Sequence, residues 1–111
     1  MSKIFPEVIT NLPQADITLP GMVAHLSQGG NHQIIFMEFN EDVDLAEHCH
    51  AGQWGIVLEG RIDLVIDGEM HYFTKGDRYY IPEGVRHSVK IYAGYADVTF
   101  FDEKDRYKPV K

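Results

Sequence analysis

The chain has 111 residues, 44% of them hydrophobic and 24% charged, with a net charge of −7, which is the ordinary globular range with room for one core in one domain. Excess acid and the lack of any Lys/Arg run exclude nucleic acid as an expected partner, and no apolar run approaches the ~18 residues of a membrane span. One cysteine permits no internal disulfide and the first residues lack the apolar stretch of a signal peptide, so the cytoplasm is the expected location.

Residues 1–14 carry Pro6 and Pro13 and no sustained periodicity, and are read as an extended arm that frays or docks on a partner subunit. Residues 15–111 form the single folded domain. Ala15 to Leu19 is a short strand candidate ended by Pro20-Gly21. Met22 to Ser27 is a strand, broken by Gly29-Gly30. His32 to Phe39 is a central strand whose wholly apolar face, Ile35/Met37/Phe39, is assigned to the core. Val43 to Cys49 leads into a pair of histidines.

Gln53 to Glu59 is the next strand. Ile62, Leu64 and Ile66 alternate with Asp63, Val65 and Asp67, a half-buried pattern. Asp67-Gly68 is the strongest hairpin signal, because both positions tolerate positive φ. Glu69 to Thr74 returns, Arg78 to Ile81 is stopped by Pro82, and Val85 to Tyr92 puts Val85, His87, Val89 and Ile91 on one face. Ala96 to Phe101 is the last strand, before a charged tail with at most one helical turn. Short strands cut by Gly, Pro and Asp turns, with no convincing 3.6 period, predict an all-β sandwich or barrel.

The chemistry-bearing stretch runs from His48 to His87. His48 and His50 are two apart, so on a strand they share a face with Cα atoms ~7 Å apart. Two such imidazoles can close on one ion with bonds of about 2.0–2.1 Å for zinc. By themselves they are a weak signal and read more simply as two surface histidines on a strand edge. His87 changes the balance, because it follows a Pro-x-Gly turn on an apolar face, where an imidazole needs a hydrogen bond or a metal. Gln53 either ligates the ion or hydrogen-bonds a ligand histidine or water. Cys49 and Trp54 alternate away from the metal face, and Gly55 is expected to leave room beside it. His25, His32 and His71 read as partly exposed strand residues. Tyr72, Tyr79 and Tyr80 are core or rim candidates, and Arg78 and Arg86 read most simply as paired surface charges.

These residues resemble the two conserved motifs of the cupin family. The first is His-x-His, an acidic residue, and a Gly seven positions after it; here His48, His50, Gln53 and Gly60 hold those places. The second is Gly, five residues, Pro-x-Gly, two residues, His, matched by Gly76, Pro82, Gly84 and His87. Gln53 replaces the usual Glu, one residue is missing between His50 and that position, and Ile91 stands where the family often has Asn. The resemblance spans the central half of the chain and implies a jelly-roll-like antiparallel barrel, the double-stranded β-helix, with metal inside.

It further implies His48, His50, Gln53 and His87 as ligands of a divalent transition metal, with Zn, Ni, Fe, Mn and Cu all open. Two functions follow. One is a metal-dependent enzyme of isomerase, dioxygenase or lyase type, acting on a small oxygenated anion with the metal as Lewis acid. The other is a non-catalytic ligand-binding or sensing domain with a structural or absent metal. No residue is identified as a general base. A small-molecule ligand is expected, and exposed edge strands beside an extended arm predict a homodimer.

Overall fold

The structure is a computed structural model that describes residues 4–48 and 51–110. Among them one helical turn, α1 (Glu7–Thr10), precedes nine strands: β1 (Met22–Gln28), β2 (Gln33–Phe39), β3 (Val43–His48), β4 (Gln53–Glu59), β5 (Arg61–Ile66), β6 (Glu69–Thr74), β7 (Arg78–Ile81), β8 (His87–Ile91) and β9 (Ala96–Phe101). β4, β6, β7 and β9 have the predicted bounds. The strand expected over 15–19 is absent; Gln14 and Ala15 make only isolated bridges, to His25 and Pro109.

The strands form two antiparallel sheets, ordered β1-β2-β9-β4-β7 and β3-β8-β5-β6. This is the predicted all-β, jelly-roll-like architecture, but not a closed barrel: β1 and β7 end one sheet, β3 and β6 the other. The β5–β6 hairpin turns at Asp67-Gly68, with φ of 50° and 80°, the left-handed pair that suits the twist of a two-residue hairpin loop. Core side chains come from both sheets, including Val57, Tyr79, Tyr95 and Phe39 from one and Ile62, Leu64 and Ile91 from the other. In β2, Ile35 and Phe39 are buried and Met37 packs against them, as the alternation requires.

Both ends of the chain are tied to this sandwich. Phe5 is buried, its ring edge-on to Phe36 at 5.6 Å, so the arm contains a helical turn and packs on its own sheet. The tail after β9 is not helical. Gln33 is 1% exposed; its side chain accepts the Tyr107 N–H at 2.9 Å and donates to the Tyr107 carbonyl at 2.8 Å. Asp16 N–H donates to the Lys108 carbonyl, and Val110 N–H to that of Gln14. These bonds hold the tail against the start of β2 and residues 14–16.

Candidate metal centre

His48 and His87 face each other across the β3–β8 pair. From Leu45 to His48 the chain advances three residues, while its partner advances two, from Val89 to His87. That extra residue is a β-bulge, and it resets the alternation. Val43 is buried and Leu45 and His48 line the interior, whereas uninterrupted alternation would have presented Glu47. The two rings lie 4.2 Å apart, centroid to centroid.

Each ring is held the same way. His48 Nδ1–H donates to the Ala46 carbonyl at 2.7 Å, and His87 Nδ1–H to the Val85 carbonyl at 3.1 Å. A carbonyl can only accept, so Nδ1 carries a proton in both, and in the neutral form of each ring the lone pair is on Nε2. That is the tautomer a metal-binding histidine needs, with its second nitrogen fixed by a backbone acceptor. His87 is 2% exposed.

Gln53 opens β4 in the facing sheet, in register with the buried Ile81 and Phe101. His48, Gln53 and His87 line one cavity of about 70 Å³ between the sheets. His50 and Cys49 lie outside the described residues. Among the described residues no three His, Cys, Asp or Glu side chains cluster; two imidazoles and one amide line the same cavity instead. The donor set suits a borderline divalent ion, being neutral nitrogen with a weak oxygen.

Several expectations are corrected. Gly55 leaves no room beside the imidazoles, because a Cβ there would lie 2.4 Å from Tyr79 Cζ; its missing side chain is filled by the Tyr79 ring. His25 is buried rather than partly exposed, with Nδ1 lacking a hydrogen-bond partner among the described residues. Trp54 does turn outward, as do Tyr72 and Tyr80. His32 stacks on Phe100 and His71 on Phe73, both off the cavity. Arg86 pairs with Glu47 at 2.8 Å, a surface ion pair as expected.

Sequence reasoning missed the opposite wall. Asp97 of β9 lines the same cavity and is 2% exposed. It accepts hydroxyl hydrogens from Tyr79 at 3.0 Å, Tyr95 at 2.5 Å and Thr99 at 3.1 Å. Burial pushes its carboxyl up to about 6, even though all three donors favour the charged form. Burial and the charge of Asp97 push both tyrosines upward, so they are neutral donors and not phenolate bases. The signal was present: Tyr95, Asp97, Thr99 and Phe101 alternate on one face, and the two aromatics mark that face as interior. Arg106 and Tyr107 of the tail also line the cavity, and no periodicity announces them.

The sequence model described as "Cupin domain" matches residues 35–102 of the chain. No curated protein matches it. Among solved structures, an RmlC-like cupin from Shewanella frigidimarina superposes with a TM-score of 0.74 at 20% identity, over 95% of this chain and 94% of that one. KdgF from Halomonas sp. gives 0.69 at 18% identity, over 82% and 87%. A variant of oxalate decarboxylase from Bacillus subtilis gives 0.71 at 18% identity, over 86% of this chain but only 28% of that longer one. Likeness at these identities establishes the shared fold.

Proposed function

The chain belongs to the cupin domain family, and on that premise we propose that it is a metal-binding cupin that holds a small oxygenated anion in the cavity between its sheets. One observation carries this reading: His48 and His87 stand opposite each other on one cavity, each with Nδ1–H committed to a backbone carbonyl. With Gln53 and the undescribed His50, they would hold a divalent ion of Zn, Ni, Fe, Mn or Cu type. Bound there, the ion supplies Lewis acidity toward an oxygen of the ligand. All four side chains are neutral, so the ion keeps its full formal charge and draws an anion to its open positions. The solved oxalate decarboxylase is described with Mn(II) centres, an example of divalent metal on this fold.

A binding or sensing role, without turnover, is the second reading, and Asp97 favours it. That carboxyl is the acidic group lining the cavity among the described residues, and three hydroxyls occupy it. A general base needs a lone pair within reach of the proton it takes; Oδ2 accepts from both tyrosines and Oδ1 from Thr99, which leaves one acceptor position for a ligand.

Elemental analysis of tag-free protein tests the metal. Stoichiometric metal is expected in the wild type and in His71→Ala, and its loss in His50→Ala. Equal content in both variants refutes the ligand set. Turnover by the metal-loaded protein would then separate enzyme from binding domain.

The homodimer is also proposed. Tyr80, Trp54 and Phe100 are exposed and lie side by side in register on the outside of the five-stranded sheet. Such an apolar row is better covered than solvated, and light scattering that gives the monomer mass at working concentration would overturn it.

A further inference from the structure

Arg106 differs from the paired arginines of this chain. Arg61 sits against Asp63 at 2.9 Å and Arg86 against Glu47 at 2.8 Å. Arg106 forms no ion pair among the described residues, although acids outnumber Lys and Arg by 17 to 10. It lines the cavity that His48, Gln53 and His87 also line. Its Nε is buried with no hydrogen-bond partner among the described residues. The group is nevertheless well positioned. Its guanidinium carbon lies 4.8 Å from the Tyr107 ring centroid and 5.8 Å from that of Phe101. The next residue is pinned on both backbone atoms by Gln33.

A buried N–H left without an acceptor costs about 1–3 kcal/mol; Arg106 as a whole is half-buried, so that cost falls on the Nε–H and not on the entire cation. Packing against two aromatic rings lowers that cost but offers no hydrogen-bond acceptor. Asp97 does not relieve it: it forms no ion pair with Arg106 among the described residues and accepts instead from Tyr79, Tyr95 and Thr99. The acceptor that fits a guanidinium edge is a planar, two-oxygen anion, which meets its N–H groups as a fork.

We propose that Arg106 is the specificity-determining residue of the cavity, and that the ligand it selects is a short carboxylic acid. The carboxylate sits on Arg106, and the rest of the ligand points toward His48, Gln53 and His87. That second half rests on the metal-binding reading above; the Arg106 half does not. The cavity of about 70 Å³ is half the ~150 Å³ apolar cavity that takes benzene, which limits the enclosed part to roughly two to four carbons.

Calorimetry on the full chain, metal-free and loaded with Mn, Ni or Zn, tests this with three carboxylates (acetate, glyoxylate and pyruvate) against their neutral amides. At least one acid is expected to bind tenfold or more tightly than its amide, metal present or absent. In the metal-free protein Arg106→Met should bring that ratio to about one, with metal uptake unchanged, and Arg106→Lys should restore part of it. A merely structural arginine would shift thermal stability in both variants and leave the ratio alone. Should Arg106→Met not fold, Arg106→Gln and Arg106→Lys give the same comparison. No preference for any acid in the wild type, or a preference in metal-free protein that survives loss of the guanidinium, overturns the proposal. An Arg106-dependent preference in protein that takes up no metal would sink the metal reading and leave this one standing. Stoichiometric metal without any acid preference would do the reverse.

Discussion

Asp63 and Asp97 are both strand aspartates, both nearly inaccessible at 7% and 2% exposure, and both accept a tyrosine hydroxyl. Their charge states part company. Asp63, on the outer face of the four-stranded sheet, accepts from Tyr92 at 2.6 Å and Arg61 at 2.9 Å. Burial pushes its carboxyl up, but the bonds from Tyr92 and Arg61 and the nearby charges of Arg61 and Lys90 outweigh that, holding it below its ordinary value of 3.8. Asp97 has three donors, all neutral, and rises to about 6 because burial prevails. The number of hydrogen bonds does not set ionisation here; a neighbouring cation and a path to water do.

The comparison breaks most sharply at Asp97→Ala. That change leaves the Tyr79, Tyr95 and Thr99 hydroxyls buried without their acceptor, and should cost about 3–5 kcal/mol of unfolding free energy at pH 5. Denaturant melts would show it, and a loss below about 1 kcal/mol would mean that the network contributes little.

Next in size is the pH profile. The folded carboxyl of Asp97 is raised, so folding binds a proton that the unfolded chain releases. Its contribution is complete below pH 3.8 and is lost as pH climbs through about 6. In metal-free protein this amounts to about 2 kcal/mol between pH 4 and 7. Asp97→Asn keeps an acceptor oxygen without the titration and should flatten that slope; an unchanged slope would assign it elsewhere.

The smallest effect is expected at Asp63. Its lowered carboxyl contributes stability above pH 3.8 that disappears as pH falls through the folded value. Asp63→Asn should remove this acid-side loss and weaken the neutral protein, by less than Asp97→Ala does, because Arg61 is exposed and water screens the pair. Added salt should narrow the gap between Asp63→Asn and wild type, and leave that between Asp97→Asn and wild type unchanged.

Much of the fold was legible in the residues because its signals are local. Asp67-Gly68 marks its own turn, Pro82 stops β7, and alternation in β2 and β8 names the buried face, including His87. The exposed row through Trp54 follows from the same parity. The sheets' failure to close, the helical turn at 7–10 and the burial of His25 were not legible, since each depends on what another segment does.

The site divides in the same way. By itself the sequence named the candidate ligands His48, His50, Gln53 and His87, through its motif resemblance their family, and the strands that carry His48, Gln53 and His87, because motif spacing and period are properties of neighbouring residues. Only the tertiary structure decided that a bulge turns His48 inward, that Tyr79 fills the gap at Gly55, that Asp97 closes the opposite wall, and that the tail brings Arg106 to the cavity. Those four outcomes join residues from different strands, sheets and loops, and side-chain volume and buried charge act between such partners only after the chain has brought them together.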